Sequence, residues 1–227
     1  MWRKLCGHFD YTDTHSFGKN LLYRLWVWWC LKAVGSMSFI TLFFVLYFYL
    51  LTHHYFYVTV IPATVMDEWI SFNGSWLYFY LSLWVYVSLP PALTKSKKEL
   101  LQYGVYAAIL SLIGIFFYIF FPTTIQQNSA DWGGSADMIW LKSMDMGGNA
   151  FPSMHVASAF FSFIWLNYQL KQMRGGKILY ALSFLWCCAI IYSTLAVKQH
   201  LFIDVIGGLI LGGSVALVTL RYHTKTF

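Results

Sequence analysis

The chain has 227 residues, 59% of them hydrophobic, 21% aromatic and only 11% charged, a balance that excludes a water-soluble domain of this length. Its formal charge of +6 does not read as a nucleic-acid partner, because the basic residues are dispersed at the ends of apolar runs, where they act as topology signals. Cys6 lies near the N-terminus and Cys30, Cys187 and Cys188 lie in or beside apolar runs, so no disulfide framework is implied.

Met1 opens a long segment that is charged and aromatic, and no cleavable signal peptide is expected. Residues 1–33 mix Arg3, Lys4, Lys19, Arg24 and Lys32 with Trp26, Trp28 and Trp29, the composition of an interfacial helix on a membrane surface. A first span is expected over Ser36–Leu51, marginal in length unless residues 33–35 join it. Residues 52–74 hold Asp67 and Glu68 but no Lys or Arg and read as an outer loop, with His53 and His54 as snorkelling surface residues. The second span is expected over Ser75–Leu93, where Pro90 and Pro91 kink or end it before Lys95, Lys97 and Lys98. The third, Leu100–Phe121, closes on Pro122 and leads into a loop rich in Gly, Asp and Asn. A fourth is expected over Ser153–Leu170, a fifth over Ile178–Val197 after Lys171, Arg174 and Lys177, and a sixth over His200–Leu220. The expected fold class is an all-α, polytopic membrane helical bundle of about six transmembrane helices in one domain, preceded by the interfacial helix.

An inside N-terminus puts the basic residues of segments 1–33, 95–98, 171–177 and 221–225 on the cytoplasmic side and leaves only Lys142 and Lys198 outside. Both chain ends are then cytoplasmic. Two polar clusters fall at the extracytoplasmic ends of their spans, Gly147-Gly148-Asn149-Ala150-Phe151-Pro152-Ser153-Met154-His155 and Lys198-Gln199-His200-Leu201-Phe202-Ile203-Asp204. Pro152 and Ser153 at the head of an apolar run read as a helix start, whose free N–H groups and positive dipole end suit a phosphate. His200 and Asp204 stand four residues apart, so on a helix they share a face and the carboxylate can orient the imidazole.

Pro152-Ser153-Met154-His155 followed by His200-x-x-x-Asp204 resembles the second and third signature motifs of the phosphatidate phosphatase type 2 superfamily of membrane phosphatases and phosphotransferases. The wording Asn149-Ala-Phe-Pro-Ser-Met-His155 is closer to the branch of inositol-phosphorylceramide synthases and their bacterial relatives than to the branch reading Pro-Ser-Gly-His. The resemblance implies that His200 attacks phosphorus to give a phosphohistidine, that Asp204 holds its ring, and that His155 protonates the leaving group. Ser153, Asn149, Gly148 and local N–H groups would then hold the phosphoryl oxygens. A histidine pKa near roughly 6.5 permits either role at neutral pH, so the assignment rests on geometry.

Two parts of the superfamily pattern are absent: a Lys-x6-Arg-Pro motif, and an arginine six residues ahead of the nucleophilic histidine, where Thr194 stands. Lys198 is expected to replace that arginine, with Lys142 as the other outer cation and with a looser grip than a guanidinium fork provides. Two histidines and a carboxylate could instead form a facial metal triad, although Ser153 and a lysine suit an anion better than a cation. No metal or other cofactor is therefore expected. The expected activity is removal of phosphate from a phosphorylated or diphosphorylated lipid in the extracytoplasmic leaflet. Transfer to an alcohol acceptor is the alternative, and a non-catalytic lipid-binding or transport protein the third reading. Gly208 and Gly212 give a Gly-x-x-x-Gly spacing suited to close helix packing.

Overall fold

The computed structural model of the chain describes residues 16–125 and 148–226. Helix α1 (Phe17–Trp26) meets α2 (Trp29–Thr52) at Trp28, which is left-handed, and an outer segment follows with strand β1 (Thr59–Ile61) and the short helix α3 (Val65–Trp69). A 3-10 turn (Gly74–Trp76), α4 (Leu77–Leu81) and α5 (Leu83–Ala92) return the chain, and α6 (Lys97–Phe120) leads to strand β2 (Thr123–Ile125). Beyond residue 147 come α7 (Met154–Gln172), α8 (Lys177–Ala196) and α9 (Phe202–Thr226).

Four of these helices, α2, α6, α8 and α9, are long and apolar enough to cross a membrane. Their outward faces expose Leu42, Val45, Leu112, Leu182, Leu185 and Ile210, an apolar exterior of the kind that hydrocarbon solvates. The expected fourth span is α7, 19 residues long and less apolar than the other four, because it sits in the middle of the bundle rather than against lipid. It touches α9, α8, α5 and α6. One buried cluster joins Phe161 and Trp165 to Tyr103, Tyr106, Val215 and Ala216, and another joins Leu166 and Leu170 to Leu83, Ile190 and Cys187. Lipid is as apolar as these side chains, so close backbone approach and hydrogen bonds carry the specificity of helix association. At Gly208 an added Cβ would lie 2.6 Å from the Ser153 carbonyl oxygen, and Gly212 meets the Ala157 backbone in the same way. The two glycines thus seat α9 directly on α7.

Three expectations change. The second span is not one helix but the series Gly74–Trp76, α4 and α5, broken at Ser82, whose hydroxyl donates to the Phe79 carbonyl at 2.7 Å and accepts from Trp186 Nε1 at 2.9 Å. The first span begins at Trp29 rather than Ser36, because Lys32 does not mark a wetted end. Its ammonium is buried and donates to the carbonyls of Arg24, Ala92 (2.8 Å) and Thr94 (2.7 Å). The fold is nearly all-α rather than all-α: β1 and β2 pair in parallel, Thr59 opposite Thr123 and Ile61 opposite Ile125, and Gly148 bridges Thr124 on the other side. In α1, Leu22, Leu25 and Trp26 face outward while Arg24 points into the bundle.

Candidate active site

The head of α7 is set by Ser153, whose hydroxyl oxygen accepts the Val156 N–H at 3.2 Å as an N-cap. The same residue's N–H donates to the backbone carbonyl of Asp204 at 3.1 Å, which bolts the first polar cluster to the second. Upstream, Phe151 N–H donates to Thr123 Oγ1 at 2.8 Å and Ala150 N–H to the Thr123 carbonyl at 3.3 Å, so β2 carries the segment 148–151 into place. Gly148 packs against Leu51. Asn149 is left-handed, a conformation asparagine tolerates better than most residues, and its amide donates to the Tyr47 carbonyl at 3.3 Å.

The second cluster begins as the end of α8. Lys198 N–H donates to the Leu195 carbonyl and Gln199 N–H to that of Thr194, both at 3.1 Å, with Lys198 left-handed between them. This is a Schellman ending in which a lysine holds the position usually given to glycine. His200 N–H adds a third bond to the Thr194 carbonyl at 3.2 Å, so the residue at the missing-arginine position shapes the turn through its backbone. Asp204, in the first turn of α9 and fully buried, accepts the Leu201 N–H on Oδ2 at 2.8 Å, with the same oxygen 3.7 Å from His200 Nδ1. That gap is longer than a hydrogen bond, and such contacts tighten when a substrate is bound.

His155 stacks on Tyr80, ring centroids 4.0 Å apart and planes 17° apart, and hydrogen-bonds the Tyr80 backbone. His155 Nε2, His200 Nδ1, Asp204 Oδ1 and Asn149 Oδ1 are buried and have no protein hydrogen-bond partner. His155, His200 and Asn149 together line one end of a cavity of about 930 Å3 whose other lining is overwhelmingly apolar. Two imidazoles, His155 in the first turn of α7 and His200 in the turn that joins α8 to α9, one backed by an aromatic ring and the other by a carboxylate, can serve as proton donor and nucleophile across a phosphoryl group.

Of the residues expected in the site, His155, His200, Asp204, Ser153, Asn149 and Gly148 come together. Lys198 stands beside them, but its ammonium is turned to the outer segment, donating to the carbonyls of Asp67 at 2.8 Å and of Ile70, and it does not line the cavity. Lys142 lies outside the described residues. Among the described residues no cluster of three or more His, Cys, Asp or Glu side chains could hold a metal ion.

Three residues escaped the sequence reading. Gln199 is buried with both amide atoms unpartnered, one position before His200. Tyr80 is the stacking partner of His155. Asp67 accepts the Phe202 N–H on Oδ1 at 2.7 Å and the Thr64 N–H and hydroxyl on Oδ2 at 2.8 and 2.7 Å, and so ties the outer segment to the first turn of α9. For Asp67 a signal existed, since Asp67 and Glu68 are the lone acidic pair of residues 52–74. For Gln199 and Tyr80 no pattern in the sequence separates them from their neighbours.

The family model of the PAP2 superfamily matches residues 35–227, and the chain belongs to that superfamily. Membership supports a phosphoric ester hydrolase or phosphotransferase. No curated protein and no solved structure matches the chain.

Proposed function

We propose, from that membership and from the two facing histidines, that the protein is a membrane phosphatase acting on a phosphorylated or diphosphorylated lipid at the extracytoplasmic end of the bundle. The observation that carries this is the meeting of His155 and His200, each with an unpartnered ring nitrogen, at the polar end of an otherwise apolar cavity. An amphiphile with a phosphate head fits such a site in one orientation only.

In the first half-reaction a His200 ring nitrogen attacks phosphorus and the bond to the departing oxygen breaks. His155 gives that oxygen a proton, and Asp204 stabilises the charge on the His200 ring. In the second, water attacks the phosphohistidine and returns the proton to His155. Ser153, Asn149, Gly148 and Gln199 surround the phosphoryl oxygens with donors, which act more strongly in a dry site than in water. Lys198, although its ammonium is bonded to the outer segment, adds positive charge at this end of the bundle. Helix α1 is read as the interfacial segment on the cytoplasmic side. The site's own residues account for every charge in the cycle, so no cofactor enters it.

The wording Asn149-Ala-Phe-Pro-Ser-Met-His155 favours a second reading, transfer of the phosphoryl head to an alcohol in place of water, as in the branch of inositol-phosphorylceramide synthases. Purified protein incubated with a panel of lipid phosphates, with and without alcohol acceptors, tests both. Free phosphate released from at least one lipid is the expected result; a new phosphodiester formed only with acceptor selects transfer, and no turnover of any lipid phosphate refutes both.

A further inference from the structure

The cavity that begins at His155 and His200 does not end near them. It continues between α2, α5 and α6 as far as Leu31, Pro91 and Leu100. From Phe48 to Leu31 the lining of α2 covers about 26 Å at the rise of an α-helix, close to the thickness of a bilayer's hydrocarbon core. The lining is overwhelmingly apolar, and two of its hydroxyls are engaged within their own helices, Ser88 donating to the Trp84 carbonyl and Ser158 to that of Met154, both at 2.7 Å. The lining therefore presents hydrocarbon to whatever fills it.

Near the starts of α2 and α6, beyond the lining, stand polar groups. Lys97 sits over the Trp28 ring, 4.9 Å from its centroid, and Lys32 is bonded to the carbonyls that end α1 and α5. That contact also shows that α2 and α6 start at the same depth. Six and seven residues in from their starts, about 9–10 Å along the axes, stand Gly35 and Gly104, both lining the cavity. A Cβ added at either would meet nothing within 4 Å, whereas glycines elsewhere in the bundle, such as Gly114, Gly208 and Gly212, are filled against by neighbours. Packing does not explain these two. In a helix interior a glycine costs stability relative to alanine, so open space at both positions has to be accounted for otherwise.

The geometry points to a hydrocarbon-chain pocket whose usable depth is set by Gly35 and Gly104: the substrate's phosphate lies at His155 and His200 and its single longest chain runs down this groove past the two glycines toward Leu31 and Leu100. The inference rests on the lipid-phosphate reading of the site and adds to it a preference for long chains. Continuity with the two histidines identifies the occupant as the substrate's own tail.

Gly35→Leu, Gly104→Leu and the double variant put side chains into the lower groove from positions whose Cβ meets nothing; Gly18→Leu, with an equally open Cβ but on α1 and outside the cavity, is the control. Each is assayed on a long-chain lipid phosphate and on its short-chain, water-soluble counterpart. The double variant is expected to lose about tenfold or more in kcat/KM on the long chain and to keep the short-chain rate, a discrimination of the size that pocket methylenes give. Equal rates on both chains, or equal losses on both, overturn the pocket while leaving the phosphatase reading intact. Failure of the wild-type protein on both substrates is instead a failure of that reading. The pocket is then judged by photolabelling with the long-chain lipid phosphate carrying a diazirine at its chain end. Adducts concentrated at the half-buried lining residues Leu100 and Gly104 support it, and labelling spread evenly over outward residues such as Leu101, Leu182 and Leu185 overturns it.

Discussion

Both ends of the helical bundle bury polar side chains, and they do opposite things with them. At the end away from the histidines, Lys32 is bonded to three carbonyls, Arg24 donates to the Leu93 carbonyl at 3.1 Å and to Gln172 Oε1 at 3.0 Å, and Gln169 donates to the Pro90 carbonyl at 2.8 Å. Those carbonyls close a helix that Pro90 and Pro91 have disrupted, so the donors complete the backbone of α5. At the other end His155 Nε2, His200 Nδ1 and both amide atoms of Gln199 have no protein partner. Burial of a polar group is not by itself a mark of function here, since Gln169 Oε1, Glu99 Oε1 and Gln102 Oε1 at the first end also lack a hydrogen-bond partner; what sets the other end apart is that His155 and His200 border the apolar cavity.

Substitutions at the two ends should accordingly fail in different ways. His200→Ala is expected to have the largest effect, a fall in turnover on the order of 10⁶-fold, to background, as for removal of a nucleophile. Its thermal unfolding in detergent should stay close to wild type; residual activity near the wild-type level would remove His200 from the mechanism. Lys32→Met should do the reverse. Leaving the Arg24, Ala92 and Thr94 carbonyls without their donor costs about 3 kcal/mol of stability, seen as a lower melting temperature, while activity per folded molecule is retained. Loss of specific activity without loss of stability at Lys32 would erase the distinction between the ends.

Lys198 lies on the border. As the left-handed residue of the α8 ending it is strained, and as a donor to Asp67 and Ile70 it fastens the outer segment. Lys198→Ala should lower kcat/KM by about tenfold through a loosened turn. Lys198→Gly should recover backbone ease but not the tether, giving the same activity loss with a higher melting temperature than the alanine variant. Phosphate affinity that collapses in both variants, measured by inorganic phosphate inhibition, would instead make the ammonium a direct ligand. The smallest expected effect is that of a chelator: EDTA should leave the rate unchanged, and a loss restored by a divalent ion would move the site into the metal class.

Much of this organisation was legible in the chain. Long apolar runs located α2, α6, α8 and α9 to within a few residues at most ends, and the two short motifs located the histidines, because both signals are local. The failures were all at contacts between distant segments. Lys32 was read as part of the interfacial segment 1–33 because the carbonyls it meets, at Ala92 and Thr94, are about sixty residues away in the chain. The bonds of the Lys198 ammonium to Asp67 and Ile70 were equally illegible, because those partners lie in the outer segment. A charge's type and neighbours in sequence predict that it must be satisfied, but not by what.

The hydrogen bond from Ser153 N–H to the Asp204 carbonyl also bears on how the molecule is made. In chain order α7 precedes α9, and its head, capped by Ser153, already carries His155 against Tyr80. The seating of Gly208 and Gly212 on α7 brings the Asp204 carbonyl to that head. The joint between the two polar clusters is thus made by one helix contact, and whatever loosens α9 separates them.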